Sequence, residues 1–386
     1  MRVLFSSMRM IGHLRPLFPY AHALLKLGHD VLVAAPHDAA ATICGAGLDH
    51  AAFGHPGDKR LAEISARFAT LTAEEVAETA VREIFVALNA RAALPELRSV
   101  IRSWKPDLIV RESMEFGASV AAAEADIPTA RVASSNPWAE ALVVRAASEP
   151  LDMIRQEAGL LADGGLTLRV EASFSSFPPS LDGDVALAGL RTPFRVRTMR
   201  ETLAPEAVVP AWAVDDGRPL VFITFGTLAV GSERNHRMFR TALEAVGDVR
   251  VRVLFSTGAA MDVAKLGDVP GNVTVTSWVD QRDVFPRAAL LVCHGGAGTA
   301  LAGFAHGIPM VVTPISADQP SNGRLVEEAG SGVMLLQPDA TSLRAAIERA
   351  LVDQEMRAAA ARVALEMSVM PSMDDAIREI ERLTVR

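Results

Sequence analysis

The stretch ALLVCHGGAGT, Ala289 to Thr299, reads as an apolar strand, then Gly295, Gly296 and Gly298 set around His294, then the start of a short helix. Glycines let a backbone come close to a ligand while the unpaired amides of a helix start point outward, a geometry that recruits an anion such as phosphate. His294 and Thr299 add side-chain donors; a tight strand-to-helix turn explains the same glycines equally well. No GxGxxG follows the first strand and no GxxxxGK[ST] occurs, so neither standard nucleotide fingerprint fits. A second turn, ITFGTL, places Gly226 and Thr227 at a strand end in the same half of the chain, and two such turns suit the two phosphates of a diphosphate. Trp278 offers a face for stacking a nucleobase, or simple packing. Asp318 and Gln319, after the next strand, suit sugar hydroxyls, or Asp318 caps a helix.

His13 is the candidate general base. It sits after the first strand and just before a helix, where a helix N-terminus favours the neutral imidazole that a base requires. The bland reading is a surface loop histidine.

These residues need a scaffold, and the chain supplies a repeated one. Val3 to Ser7 is an apolar run; Leu14, Leu17, Phe18, Ala21, Leu24 and Leu25 follow at helical spacing to Gly28; DVLVAAP is the next strand. That βαβ order recurs at DLIVRES and PTARVAS, and again as PLVFITFGT, VRVRVLFST, NVTVTSW, ALLVCHGG and IPMVVTP, with helices at residues 235–246, 299–306 and 324–329. The reading is α/β: two doubly wound parallel sheets, with ligands expected where strand carboxyl ends meet a crevice. A long amphipathic helical stretch at 57–104 is an insertion able to shape a binding mouth. Periodicity fades from Leu181 to Asp216, as in an interdomain connection. The chain ends in an amphipathic helix with Ile377, Ile380 and Leu383 on one face. Asp107, about 17 Å along an extended strand from Glu112, is read as a turn cap after Lys105-Pro106.

The bulk numbers exclude several classes. At 386 residues the chain suits two domains. Half of it is hydrophobic, 22% is charged, and the net charge of −8 is interspersed, which argues against capture of nucleic acid. Cys44 and Cys293 give neither a disulfide framework nor a metal-ligand spacing, so no metal is expected. No apolar run approaches a membrane span and MRVLFSS reads as a strand rather than a secretory leader, which implies a cytoplasmic protein.

Taken in order, Trp278, Gln281, His294-Gly295-Gly296-Ala297-Gly298-Thr299, Gly307, Pro309, Asp318-Gln319 and Asn322 resemble the donor-binding signature of family 1 glycosyltransferases, and GHLRPLFPYAHALLKLGHDV resembles their acceptor-domain opening. Within that family the chain looks most like bacterial enzymes that glycosylate secondary metabolites such as antibiotics. The resemblance implies the GT-B fold: two Rossmann-like domains facing a central cleft, at 1–200 for the acceptor and 201–365 for the donor, with a final helix, 366–386, returning to the first domain. It implies that Trp278 stacks on the base, that the Val279 backbone contacts it, and that Gly226, Thr227, His294, Gly295, Gly296, Gly298 and Thr299 hold the diphosphate. Gln281 joins this donor set, and Asp318 and Gln319 hold the sugar.

The resemblance places Glu112 where the family has aspartate, as the partner that orients His13, and the longer side chain sets the dyad geometry in question. Met114, Phe116, Ser135, Asn136 and Trp138 join residues 57–100 as expected lining of an apolar acceptor pocket. Ala302 stands where members using a ribonucleotide donor carry glutamate, favouring a thymidine-diphospho-sugar over a uridine-diphospho-sugar as co-substrate, with no cofactor. The expected reaction is inverting and metal-independent transfer of a deoxysugar to a natural-product hydroxyl. A hydrolysing epimerase and a non-catalytic helper are the competing readings. Exposed apolar helices allow a homodimer.

Overall fold

Alternate residues of the first strand leave the backbone on opposite sides: Val3 and Phe5 bury against one face of a sheet and Leu4 against the other. A strand apolar on both sides belongs in a parallel sheet covered by helices on both faces. The computed structural model has that form twice. It describes residues 1–182, 189–197, 212, 214, 216–226, 233–258, 261 and 266–384, with the backbone alone for 233–235.

The chain divides into two compact units, Met1–Arg197 with Met370–Arg386, and Thr198–Val369. The first contains seven strands: β1 (Arg2–Ser6), β2 (Asp30–Pro36), β3 (His50–Phe53), β4 (Leu108–Glu112), β5 (Thr129–Val132), β6 (Ala172–Ser175) and β7 (Phe194–Arg195). They lie in the order β3-β2-β1-β4-β5-β6-β7, each described pair parallel, with Leu4 registered against Leu32 and Ile109. The switch of direction beside β1 is where an open α/β sheet leaves a crevice at its carboxyl ends.

On one face lie the helix Phe18–Lys26 and the terminal helix Met373–Arg382, which buries Ala376, Ile377 and Ile380 against it. The terminal helix starts with a capping box, Ser372 with Asp375, and the Arg197 amide donates to the Pro371 carbonyl at 2.8 Å, which ties the returning chain to the first unit. Leu383 packs partly buried on the same core.

The 57–104 stretch is helical, in segments: α-helix Asp58–Ser65, 3-10 turn Ala66–Thr70, α-helix Ala73–Thr79, an eleven-residue π-helix Ala80–Ala90 and α-helix Arg91–Trp104. Thr72 breaks the run by taking extended backbone and capping the next helix with Glu75 in a capping box. Asp107 does not cap the Lys105 turn. Its Oδ2 accepts from the Arg2 amide at 2.7 Å and fixes the start of β1 against β4.

The second unit has β8 (Leu220–Thr224), β9 (Arg252–Ser256), β10 (Val273–Thr276), β11 (Ala288–Cys293), β12 (Met310–Val312) and β13 (Gly332–Met334), parallel in the order β10-β9-β8-β11-β12-β13. Again the order reverses beside the first strand, so the turns after β8 and β11 are neighbours. The helices Glu233–Val246, Ala297–His306, Gln319–Glu328 and Ala340–Val352 cover the sheet. No helix among the described residues is long and apolar enough to cross a membrane.

Candidate active site

In the first unit the candidate chemistry gathers at the carboxyl ends of β1 and β4. After β1 the chain runs extended through Met10 (φ −70°, ψ 136°) and turns at once into the helix Ile11–Leu14. His13 therefore lies inside that short helix rather than before it. A separate 3-10 turn, Arg15–Leu17, follows with Pro16 in its first positions, where a missing N–H costs nothing. The imidazole is 18% exposed, and its Nδ1 lies 3.0 Å from Oε2 of Glu112, which is fully buried. Glu112 is aimed by its other contacts: the Met114 amide donates to Oε2 at 2.7 Å and the Met8 amide to Oε1 at 3.4 Å. The extra methylene of glutamate over aspartate is thus absorbed without losing the pair. A carboxylate on Nδ1 places that nitrogen's proton between them, so Nε2 carries the lone pair of the neutral ring.

Beneath this pair lies a buried charge network that the sequence reading did not single out. The guanidinium of Arg111 has no exposed surface and binds Glu171 at both oxygens, at 3.1 and 2.6 Å. Its Nη1 donates to the carbonyls of Glu112, Ser113 and Glu115, so one cation gathers the loop that holds Glu112. Glu140 accepts from Ser113 Oγ and the Ser135 amide and pairs with Arg131. Glu115 accepts the amides of Gly117 and Ala118 at the start of the helix Gly117–Ala125. Burial pushes the carboxyls of Glu115 and Glu140 above their ordinary range. The visible signal was three charged residues in VRESMEF, at the end of an apolar strand.

The expected acceptor residues separate. Met114 is half-buried and Trp138 is 37% exposed, so both face accessible space. Phe116 does not line a pocket: it is 1% exposed in the core, with the Arg111 guanidinium 5.6 Å from its ring centroid. Asn136 is also committed elsewhere, because its Oδ1 accepts the Ala139 amide and caps the helix Pro137–Glu157. Ser135 is buried with its amide on Glu140.

In the second unit the turns after β8 and β11 close around one ring. Gly226 (φ +76°) and Gly296 flank His294 so tightly that a Cβ on either lies within 2.7 Å of the imidazole. Gly295 (φ +82°) has Val312 at 2.6 Å from where its Cβ belongs. These are close-approach positions, and alanine fits none of them. Gly296 caps the helix Ala297–His306 with extended backbone and no side-chain hydrogen bond, which leaves the first helical amides to a ligand. Gly298 is exposed with open space around it, and Thr299 is half-buried. Thr227 lies outside the described residues.

Trp278 is 61% exposed, Val279 is half-buried behind it, and Gln281 opens the helix Gln281–Val284 capped by Asp280. Asp318 Oδ2 accepts from Asn322, whose amide also ties down the Gly295 carbonyl. Gln319 is buried, with Oε1 committed to the Ile315 and Ser316 amides. Ala302 is half-buried in the helix, its carbonyl accepting from His306.

Burial drives the His294 pKa from 6.5 to about 4, opposed by a hydrogen bond to the Thr224 backbone, and the ring is neutral at physiological pH. A neutral ring has one N–H, and the Thr224 carbonyl takes it. The depressed value has a consequence for stability. Between pH 6.5 and 4 the unfolded chain binds the proton and the folded chain does not, so this contribution is complete above 6.5 and falls as pH drops toward 4. The drop is on the order of 3 kcal/mol. Denaturant unfolding from pH 7.5 to 4.5 should show it, and His294→Gln should flatten that slope; equal slopes in both chains contradict the assignment.

Comparison with known proteins agrees with this architecture. Residues 22–152 match the N-terminal domain and 240–383 the C-terminal domain of erythromycin biosynthesis protein CIII-like proteins. The chain is 28% identical to tylactone mycaminosyltransferase of Streptomyces fradiae, over 100% of this chain and 92% of that one. It is 29% identical to 3-alpha-mycarosylerythronolide B desosaminyl transferase of Saccharopolyspora erythraea, over 99% and 98%. Its fold superposes on the glycosyltransferase SsfS6 of Streptomyces sp. SF2575, solved with thymidine diphosphate, at TM-score 0.76 and 25% identity over 99% of each chain. Two parallel-sheet units and a glycine-bound helix start thus define a GT-B glycosyltransferase. The chain belongs to the erythromycin biosynthesis protein CIII-like family, among the bacterial secondary-metabolite glycosyltransferases.

Proposed function

We propose that the protein transfers a deoxysugar from a thymidine-diphospho-sugar to a hydroxyl of a natural-product acceptor, with inversion and without a metal. The observation that carries the reading is the pair His13 Nδ1 and Glu112 Oε2 at 3.0 Å, held by two backbone amides at the end of β4. His13 Nε2 takes the acceptor hydroxyl's proton as its oxygen attacks the anomeric carbon and the bond to the diphosphate breaks. Glu112 then faces an imidazolium and stabilises it, as the carboxylate of a Ser-His-Asp triad does.

The electron pair leaves on the diphosphate, where the amides at the start of the helix Ala297–His306 meet the charge. Trp278 supplies the stacking face for thymine and Gln319 a donor to the sugar. Two things support thymidine over uridine: Ala302 offers no carboxylate to a ribose, and SsfS6 is a relative with thymidine diphosphate bound. The reaction belongs in the cytoplasm, where activated sugars are made.

The test is transfer from α-linked thymidine- and uridine-diphospho-sugars to a panel of aglycones, with the product's anomeric configuration read by NMR. The thymidine donor should be preferred and the product β-linked. An α-linked product rules out single displacement by an activated hydroxyl.

A further inference from the structure

The π-helix Ala80–Ala90 passes beside His13, and two of its side chains meet the chain that follows β1. The Phe85 ring lies 6.1 Å from the imidazole, centroid to centroid, tilted by 42°. Four residues on, Asn89 reaches the loop after β1. Its Nδ2 donates to the thioether of Met8 at 3.8 Å, and its Oδ1 has no hydrogen-bond partner among the described residues. Asn89 is 6% exposed and Met8 4%. Met8 is also the residue whose amide donates to Glu112 Oε1.

A primary amide has two donors and two acceptor lone pairs, yet among the described residues it makes one bond, to a weak sulfur acceptor. Buried polar groups left so poorly matched are rare in folded proteins. Packing does not account for it, since leucine fills a similar volume without an unpaired dipole. The helix itself points the same way: π-turns are uncommon and concentrate at functional sites, because the widened i→i+5 ladder re-aims the side chains it carries. The group in front of the amide is a methionine, unbranched and readily moved, and its sulfur is easily replaced by an oxygen.

We propose that Asn89 determines acceptor specificity. With the Met8 side chain swung aside, the amide edge pairs with oxygen groups beside the reacting hydroxyl, and Phe85 lies against the acceptor's apolar frame, so that the hydroxyl meets His13. The ligand class is an aglycone carrying hydroxyl or ketone oxygens next to the glycosylated position, rather than a single hydroxyl on a hydrocarbon ring. The inference rests on the glycosyl-transfer reading and adds to it which acceptors are bound.

The test compares wild type with Asn89→Leu, using tylactone as the oxygen-rich probe and 2-naphthol as the oxygen-poor one, together with the melting temperature of each chain. For tylactone, Asn89→Leu should raise KM at least tenfold with kcat within threefold; for 2-naphthol, KM should stay within twofold. The melting temperature should hold or rise, because an unpaired buried amide has gone. A melting temperature lowered by more than about 5 °C makes the amide part of the packing, and an unchanged KM for tylactone removes it from recognition; either overturns the proposal. Transfer by wild type to 2-naphthol but not to tylactone also overturns it while transfer stands, and transfer to neither takes both readings down.

Discussion

His13→Ala lowers kcat/KM by about 10²- to 10⁴-fold while the affinity for thymidine diphosphate is retained. The range is that of a positioned general base. Without the imidazole the acceptor hydroxyl must attack with its proton still in place or lose it to water, and Glu112 cannot step in. Its Oε2 already accepts from the Met114 amide at 2.7 Å and its Oε1 from the Met8 amide at 3.4 Å, so the carboxylate is turned into the loop. Nucleotide affinity should persist because the glycine turns and Trp278, to which the proposed function assigns the nucleotide, belong to the other unit of the chain. Single-turnover transfer and calorimetric titration of thymidine diphosphate separate the two effects. Turnover within tenfold of wild type removes His13 from the role of base, and a parallel loss of nucleotide affinity shows general damage instead. His13→Gln is the second variant, since it keeps a polar side chain of similar reach without a basic nitrogen.

The reach of sequence alone differed between the two units. In the second unit the turns after β8 and β11 were legible because they are a matter of backbone: Gly226, Gly295 and Gly296 are needed where φ is positive or a ring approaches closely, and glycine announces such positions. That His13 stands just after β1 was readable from its neighbourhood, although its place inside the helix depended on Met10 staying extended, which no residue type dictates. The acceptor side was poorly readable. Asn136 and Phe116 have types that suit a pocket, but one caps a helix and the other packs under a guanidinium, and only tertiary contacts distinguish these uses. The π-helix was invisible because π and α turns share composition and differ only in period, which an eleven-residue stretch does not resolve. β3 escaped for a related reason: HAAF is four residues long and half alanine.

Arg111→Met carries the largest expected loss of stability. The Arg111 and Glu171 side chains are both fully buried and joined at both oxygens, so removing the cation strands a carboxylate in the core of the first unit. Breaking such a pair costs about 3–5 kcal/mol, a large part of the roughly 5–15 kcal/mol that holds a domain together. Three carbonyls, those of Glu112, Ser113 and Glu115, lose their shared donor at the same time. For a unit of this size the melting temperature should fall by about 6–20 °C, read by calorimetry as a shift of the first unit's transition. The double variant Arg111→Met with Glu171→Met should recover most of that loss, because a buried ion pair and a packed apolar pair differ little in net stability. Activity should not recover in step. The apolar pair restores packing but not the donor that gathers the Glu112 loop, so kcat stays low at a temperature where the double variant is folded. A single variant as stable as wild type contradicts the buried pair, and a double variant that regains full kcat shows that the Glu112 loop holds its shape without Arg111.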